Sequence, residues 1–487
     1  MERAPSVVVL GAGMSGICMG VQLKRAGIES FTIVERSAGV GGTWWDNVYP
    51  GAQCDVRSHL YSFSFELKSD WTRVFAPGAE IQAYAEHCVD KYGLRPHLRL
   101  GTRIVAARFD APQNLWRLTT ERGEPLEAQV FICSVGPLSR PRWPIGIDAF
   151  RGTIVHSARW RPDLDFRGKR VALIGSAASA VQVAPALAAD AAQLTIFQRS
   201  PSWILPRPDR VYRPLEKALL RLPPLARLNR WWQYCAHDLR FAAFSGRGIV
   251  HRTMVGLADR HRERQVADPE LCRRLRPRYP MGCKRILITN DYYPLFARAN
   301  VALIEHAAST FSADSVIAAD GSRHEVDVIV CATGFTATEL MPDIDISGLA
   351  ARHLREVGPA SDASYHGVAM AGFPNLFLLG GPNTGSGHIS VLVATEAQVG
   401  YVVRCIRELA RRGGGSMEVR TDTAAAYNVD LQARLARTVW ASPACTSWYK
   451  TDAGRIVALY PGFATRYVME MRRPHFADYR FAATSGA

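Results

Sequence analysis

A glycine-rich loop near the start of the chain has the residue types and spacing that hold a nucleotide pyrophosphate. The stretch VVVLGAGMSG, residues 7–16, predicts a strand, a tight turn and the start of a helix. Gly11 permits the turn, Gly13 permits close approach of the backbone to a pyrophosphate, and Gly16 permits the helix to pack on the strand. Glu35 ends the next predicted strand, where its carboxylate can accept hydrogen bonds from ribose hydroxyls. The pattern predicts a dinucleotide site.

An aromatic stretch after this loop indicates which dinucleotide binds. In GVGGTWWDNVYPGAQCDVRSHLYSFSF, residues 39–65, a glycine pair suits a second close approach of the backbone, and Trp44, Trp45 and Tyr49 offer flat apolar faces. This combination favours FAD over a nicotinamide cofactor, and the alternative is a core turn rich in aromatic residues. The residues expected to contact FAD here are Gly42, Thr43 and Trp44.

A second loop repeats the order of strand, turn and helix. The stretch KRVALIGSAASAVQVAPALA carries Gly175, Ser176 and Ser179 as expected cofactor contacts. Ala177 stands where the middle glycine is usual, and Ala180 is an accepted substitute for the third glycine. The chain is therefore expected to bind a second dinucleotide, with a methyl group close to the path of its pyrophosphate.

The end of the strand that follows this second loop carries no acidic residue. Arg199 and Ser200 stand there instead. A cation beside a hydroxyl suits a 2′-phosphate, which favours NADPH over NADH. The alternative is an ordinary surface arginine after a strand.

The junction before the second loop completes a recognisable pattern. Phe150, Gly152, His156 and Trp160 fit F-x-G-x-x-x-H-x-x-x-W, although Arg161 stands where Pro or Asp is usual. Between two Rossmann loops, this pattern resembles the class B flavoprotein monooxygenases, specifically the type I Baeyer–Villiger monooxygenases. Further stretches that match are GGTWWDNVYPG, YPMGCKRILITNDYYP, DVIVCATGF, GFPNLFLLGGPNTGSGH and CTSWYK. His156 is expected to have a structural role in this pattern, and sensing of the cofactor is the alternative.

The resemblance implies an oxygen-inserting reaction. In the family, NADPH reduces FAD, the reduced flavin takes up O₂ as a C4a-peroxyflavin, and a ketone becomes an ester or lactone. The partners expected are therefore a small ketone and O₂. Two alternatives stay open: S- or N-oxygenation of a thioether or amine, and a non-catalytic flavoprotein with a degraded NADPH site.

The resemblance also implies a set of site residues. Arg285 matches the active-site arginine that stabilises the anionic species, and Asp55 matches the acid that holds this arginine. Lys284 is placed for the 2′-phosphate of NADPH, together with the residues after the second strand. Asn383 is expected beside the flavin, and the candidates for the substrate pocket are Trp448 and Tyr449.

These motifs predict an α/β fold with two Rossmann-like dinucleotide-binding domains, for FAD and NADPH, and a helical insertion. The FAD domain is expected at residues 1–145 and 336–487, the NADPH domain at 146–208 and 283–335, and the insertion at 209–282. The insertion contains RPLEKALLRLPPLARLNRWWQYCAHDLRFAAF, which is amphipathic. A substrate cap is the favoured interpretation of it, and a membrane-surface helix is the alternative.

Composition restricts the remaining classes of function. The 487 residues carry a formal net charge of +15, but the excess is scattered arginine, so nucleic-acid binding is not expected. The ten cysteines form no C-x-x-C pair, so no metal site is expected, and dispersed thiols suit a reducing cytoplasm. No apolar run is long enough to cross a bilayer, so stable membrane insertion is not expected.

Overall fold

The computed structural model describes residues 5–336, 339–341, 343–358 and 361–483. In chain order the β-strands are β1 (Val7–Leu10), β2 (Phe31–Val34), β3 (Leu98–Arg99), β4 (Ile104–Asp110), β5 (Leu115–Thr120), β6 (Pro125–Ala128), β7 (Val130–Cys133), β8 (Thr153–His156), β9 (Arg170–Ile174), β10 (Gln193–Phe197), β11 (Ile204–Leu205), β12 (Leu287–Ile288), β13 (Val301–Ile304), β14 (Ala308–Phe311), β15 (Ser315–Ala318), β16 (Arg323–Glu325), β17 (Val328–Cys331), β18 (Asp345–Ser347), β19 (Ser364–Tyr365), β20 (Ala369–Met370), β21 (Leu376–Leu378), β22 (Ser416–Val419) and β23 (Tyr479–Ala482).

The α-helices are α1 (Met14–Arg25), α2 (Thr43–Asp46), α3 (Gly78–Lys91), α4 (Ala178–Asp190), α5 (Pro214–Leu220), α6 (Pro223–Asp238), α7 (Gly248–Gln265), α8 (Pro269–Arg274), α9 (Leu354–Val357), α10 (Val391–Arg411), α11 (Thr421–Leu435) and α12 (Ala464–Glu470). Short 3₁₀ turns are Arg95–His97, Ile147–Ala149, Ser157–Arg159, Leu239–Ser245, Tyr293–Ala297, Leu349–Ala351, Val439–Ala441 and Phe476–Asp478.

The first large sheet has the order β19-β20-β21-β7-β1-β2-β3. Strand β1 lies parallel to both β2 and β7, and its four residues, VVVL, are all buried. Continuous apolar runs of this kind are typical of parallel strands covered on both faces. The loop after β1 therefore opens at the carboxyl end of a central strand, which is the usual place of a dinucleotide site.

The second large sheet repeats this arrangement. Its order is β13-β10-β9-β17-β8, and all its neighbouring strands are parallel. Strand β9 takes the central place that β1 has in the first sheet, with β10 and β17 corresponding to β2 and β7. The predicted α/β class with two Rossmann-like units is confirmed.

Smaller sheets are inserted between these strands. Strands β4, β5 and β6 lie between β3 and β7 in sequence and form a small sheet with the later strand β18, in the order β18-β4-β5-β6. The antiparallel sheet β14-β15-β16 lies between β13 and β17. Helices α5 to α8 fill the long connection between β11 and β12. Among the residues that the structure describes, no helix is long and apolar enough to cross a membrane.

Two cysteines depart from the expectation of dispersed thiols. Cys283 and Cys445 form a disulfide with 5.3 Å between their Cα atoms, although 162 positions separate them in the sequence. Sequence spacing cannot reveal such a pair, because chain topology alone brings the two segments together. The bond fastens the residues before β12 to the segment after Val439–Ala441.

Candidate functional site

The first glycine loop forms a tight cradle at the carboxyl end of β1. Gly11 has a φ of +102°, and a Cβ added there would lie 2.9 Å from the carbonyl oxygen of Ser134. A Cβ on Gly16 would lie 1.8 Å from the carbonyl oxygen of Gly11, so only glycine fits where α1 crosses the loop. Gly13 is the N-cap of α1, whose first turn carries neither an acidic residue nor a side-chain cap. The cradle leaves the positive end of the helix open to an anion and fits a pyrophosphate.

The Glu35 carboxylate holds the loop in this shape. Its Oε2 accepts a hydrogen bond from the backbone N–H of Ala12, and its Oε1 accepts one from Ser37, each at 2.8 Å. The side chain is buried, and each carboxylate oxygen retains a further lone pair. Glu35 therefore stands where the motif places an acceptor for ribose hydroxyls.

The second glycine pair adds another wall to the same cradle. The Gly41 N–H donates to the carbonyl of Ala12 at 2.9 Å, and a Cβ on Gly42 would lie 3.0 Å from the Cα of Gly13. Thr43 then begins α2, and the indole N–H of Trp44 donates to the Tyr61 hydroxyl at 3.0 Å. Gly42, Thr43 and Trp44 thus lie in the segment that begins at the wall of the nucleotide cradle.

The loop after β9 has nearly the same geometry. Gly175 has a φ of +119°, and a Cβ there would lie 2.4 Å from the carbonyl oxygen of Ala332. Ala177 is the N-cap of α4 with φ −92° and ψ −163°, close to the −72° and −176° of Gly13 in the first loop. The alanine is therefore accommodated without backbone strain, and its exposed methyl points away from the core. Ser179 lies in the first turn of α4.

Basic and hydroxyl groups meet beside this second loop. The Lys284 ammonium donates to Ser200 Oγ at 2.8 Å and lies 4.5 Å from the centre of the Tyr279 ring. The Ser176 hydroxyl donates to the carbonyl of Ser200 at 3.0 Å. Burial and the charge of Arg199 both lower the pKa of Lys284. Within the described chain neither cation pairs with a carboxylate, so the cluster fits a phosphate.

Arg285 and Asp55 form a bidentate ion pair. Arg285 donates through Nε to Oδ2 at 2.6 Å and through Nη2 to Oδ1 at 2.7 Å. Burial alone raises the pKa of Asp55, but the charge and hydrogen bonds of Arg285 outweigh it and lower that pKa. The guanidinium pKa is correspondingly raised by the carboxylate. Nη1 makes no hydrogen bond in the described chain, and 43% of the side chain is exposed, so a fixed cation faces open space.

Tyr449 lies beside this ion pair, and Trp448 packs on Tyr449. Tyr449 is buried, and burial raises the pKa of its hydroxyl to about 12 against the opposing charge of Arg285. Trp448 packs on Tyr449 with 4.7 Å between ring centres and is 45% exposed. The disulfide fastens this segment, through Cys445, to Cys283 beside Lys284 and Arg285.

Asn383 is a structural anchor in the described chain. Its φ is +55°, and its side-chain amide donates to the carbonyls of Ile456 and Leu459 at 3.0 and 3.1 Å. Both amide protons are therefore used to hold the segment after Tyr449. Its role as a flavin contact stays a prediction.

The F-x-G-x-x-x-H-x-x-x-W residues surround β8, the edge strand of the second sheet. Phe150 and His156 are buried, and a Cβ on Gly152 would lie 2.6 Å from the carbonyl oxygen of Asp327. His156 Nδ1 accepts from the N–H of Ala158 at 3.1 Å, and burial lowers its pKa to about 4. This neutral histidine caps the turn after β8. The exposed Arg161 pairs with Asp163 at 2.8 Å.

Two equivalent residues that the motifs did not predict lie against the glycine loops. Ser134 donates its hydroxyl to the carbonyls of Leu10 and Gly11 at 2.8 and 2.9 Å, and so holds the first loop. Ala332 lies at the equivalent place in the second loop, where its carbonyl oxygen would lie 2.4 Å from a Cβ on Gly175. The sequence does indicate this equivalence through a repeat. The stretches VFICSVG, residues 130–136, and VIVCATG, residues 328–334, carry similar residue types at most corresponding positions.

The comparisons with known proteins agree with this geometry. A family model described as flavin-binding monooxygenase-like matches residues 4–221. A Baeyer–Villiger monooxygenase from Pseudomonas aeruginosa is 40% identical over 99% of this chain and 92% of its own length.

Solved structures resemble the whole chain. One, described as an oxidised steroid monooxygenase bound to NADP, has a TM-score of 0.84 and 29% identity, covering 96% of this chain and 97% of its own. Another, described as OTEMO in complex with FAD and NADP, has a TM-score of 0.87 and 27% identity, covering 99% and 100%. With full-length relatives at this level of identity, the chain belongs to the Baeyer–Villiger monooxygenase family of flavoproteins.

Proposed function

We propose that Arg285, held by Asp55, is the catalytic residue of an FAD- and NADPH-dependent Baeyer–Villiger oxidation that converts a ketone into an ester or lactone. The chain is an NADPH-dependent flavoprotein monooxygenase by family. The observation that carries the assignment to Arg285 is its bidentate ion pair, which leaves Nη1 without a hydrogen-bond partner in the described chain on a side chain that is 43% exposed.

The two glycine cradles divide the cofactors between them. FAD is assigned to the loop after β1, with Gly11, Gly13, Gly16 and Glu35 as its holders, and residues 1–145 and 336–487 as its domain. NADPH is assigned to the loop after β9, within residues 146–208 and 283–335. The NADPH contacts are Gly175, Ser176, Ser179, Arg199, Ser200 and Lys284. This division is supported by the cation cluster that fits a phosphate. Among the described residues, this cluster lies at the second loop and not at the first.

When bound, reduced by NADPH and combined with O₂, FAD supplies the activated oxygen that is transferred. The task of Arg285 is electrostatic. Negative charge develops on the ketone oxygen as its carbonyl is attacked, and a guanidinium keeps its proton at any working pH. Asp55 prevents the side chain from swinging away, because two parallel hydrogen bonds fix its plane.

Aromatic side chains define the other wall of this space. Trp448 presents an exposed ring, and Tyr449 stays protonated at neutral pH because burial raises its pKa to about 12. An apolar wall beside a fixed cation suits a small ketone, which has one polar oxygen and an apolar frame. Residues 209–282 are assigned to covering the substrate.

The proposal is tested with purified protein, NADPH, O₂ and a panel of cyclic, linear and aryl ketones together with thioethers. We expect bound FAD, and for at least one ketone an ester or lactone with one ¹⁸O atom from labelled O₂ per NADPH oxidised. Oxygenation of thioethers alone would contradict the ketone assignment. Protein that cannot be loaded with FAD would overturn the whole proposal.

A further inference from the structure

The helices α5 and α6 present apolar side chains to the outside of the molecule. We call Leu215, Leu219, Leu222, Leu228, Trp231 and Trp232 the apolar ridge. Leu215 is 70% exposed, Leu228 59%, Trp231 62% and Trp232 55%. Isolated exposed apolar residues are ordinary, but a row of them along two consecutive helices is not. The apolar ridge therefore needs a physical explanation.

The inward side of α6 is polar, so the helix is not free to turn its apolar side inward. Arg230 Nη1 donates to the carbonyls of His59, Leu60 and Ser62 at 2.8 to 3.1 Å. Gln233 is buried, and Asp238 accepts from the N–H of Ala464 at 2.6 Å. These buried polar contacts fix the rotation of the helix, because breaking them would leave charged groups unpaired. The outward direction of the ridge is thus built in.

Exposed cations flank the apolar ridge. Arg213, Arg221 and Arg227 lie on or beside α5 and α6, and Arg247 and Arg252 lie at the start of α7. None of these five forms an ion pair within the described residues. The nearby carboxylates are already used, since Glu216 pairs with Arg210, and Asp238 is buried. The helices that carry the ridge therefore also carry, on or beside them, exposed arginines that pair with no carboxylate in the described chain.

We propose that the apolar ridge docks this enzyme on an anionic lipid surface. Leucine and tryptophan side chains enter the boundary between headgroups and acyl chains, while the flanking arginines contact lipid phosphates. The enzyme lies on the bilayer and does not cross it. A second copy of the chain fits the ridge less well, because an interface between two such faces would bring two sets of unpaired arginines together with no nearby carboxylate to neutralise them.

The test is flotation of the FAD-loaded full chain with vesicles of phosphatidylcholine alone or with 30% phosphatidylglycerol. We expect binding to the anionic vesicles, weaker binding to the neutral ones, and release as NaCl is raised. The variant Trp231→Ser/Trp232→Ser should lose at least tenfold in partitioning. Arg221→Gln/Arg227→Gln should lose about fivefold for each charge removed on anionic vesicles only.

Matched variants elsewhere on the surface serve as controls. Ile145→Ser removes an apolar residue that is 95% exposed, and Arg122→Gln/Arg151→Gln removes two exposed cations, all outside α5 to α7. These controls should bind vesicles like the wild type. FAD content and melting temperature verify folding, and Leu215→Ser/Leu219→Ser replaces the tryptophan variant if that variant fails to fold.

Three results would overturn the proposal. The first is a failure of the wild-type protein to bind anionic vesicles. Equal loss of binding in the control variants would show unspecific electrostatic attraction. A wild-type dimer that the ridge variants convert to monomers, measured by sedimentation, would assign the ridge to a second copy of the chain.

Discussion

At the scale of single residues, the Lys284 ammonium lies in a partly buried site beside another cation. Burial and Arg199 lower its pKa below the ordinary value of a lysine, so its charge is present at lower pH and is lost as pH rises through that lowered value. We expect the ratio of kcat/KM for NADPH to kcat/KM for NADH to fall as the pH rises. This fall should occur at a lower pH than that at which an ordinary lysine loses its proton. The measurement is the pH profile of both cofactors for the wild type and Lys284→Arg.

The two cofactors and the arginine variant serve as internal controls. NADH lacks the 2′-phosphate, so its own profile should not show this fall. Lys284→Arg keeps its charge and should flatten the ratio. A wild-type ratio that stays constant up to the range of an ordinary lysine would show that Lys284 is not a phosphate ligand.

Ala177 is the second residue whose effect is testable on its own. Its backbone is already that of a helix N-cap, so glycine gains nothing in conformation, and only the methyl group is removed. If this methyl crowds the pyrophosphate, Ala177→Gly should tighten NADPH binding by about 1–2 kcal/mol. Titration calorimetry with NADP⁺ measures the change. Unchanged or weaker binding would show that the loop has room for the methyl.

The site residues that could be predicted from the sequence alone are those whose role depends on local backbone geometry. Gly11 and Gly175 were identifiable because a left-handed turn after a buried strand demands glycine. Arg285 and Asp55, 230 positions apart, were paired only through resemblance to a family. Asn383 shows the limit, because its partners in the segment 456–459 are set by tertiary packing that no local pattern reveals.

At the scale of elements, the disulfide is the covalent link between the Arg285 segment and the Trp448 segment. Cys445→Ser leaves both glycine cradles intact, so FAD content should not change. We expect a loss of stability on the order of 2–4 kcal/mol, as is usual for a disulfide, and less ester formed per NADPH. Thermal unfolding and product analysis measure these two effects.

Cys272→Ser is the matched control, since Cys272 is a half-buried free thiol. A reducing agent should bring the wild type and Cys272→Ser to the behaviour of Cys445→Ser, and should leave Cys445→Ser itself unchanged. Wild-type protein whose stability and coupling do not respond to reduction would contradict a supporting role of this bond.

At the scale of the whole molecule, one architecture is used twice. The orders β3-β2-β1-β7 and β13-β10-β9-β17 correspond strand by strand, and each central strand ends in a glycine loop. Buried parallel strands with a loop and a helix between them have a strong sequence signature, so this part was predictable. The outward apolar face of α6 was not predictable, because an amphipathic pattern does not indicate which side of the helix faces the protein.

The role of Arg285 can be measured through coupling, which is the amount of ester formed per NADPH oxidised. Arg285→Ala removes the fixed cation and leaves both glycine cradles in place. FAD should remain bound and NADPH should still be oxidised, with hydrogen peroxide as the product of the consumed O₂. Thioether oxidation should suffer less than ketone oxidation, because a thioether has no carbonyl oxygen on which negative charge develops.

The most direct test is ester formed per NADPH oxidised, for one accepted ketone, in wild type, Arg285→Lys and Arg285→Ala. We expect nearly one ester per NADPH in the wild type and a loss of about 10²- to 10³-fold in the rate of ester formation for Arg285→Ala. Arg285→Lys should fall between them, since it keeps the charge and loses the bidentate contact. Wild-type coupling in Arg285→Ala would contradict the assignment of Arg285 as the catalytic residue.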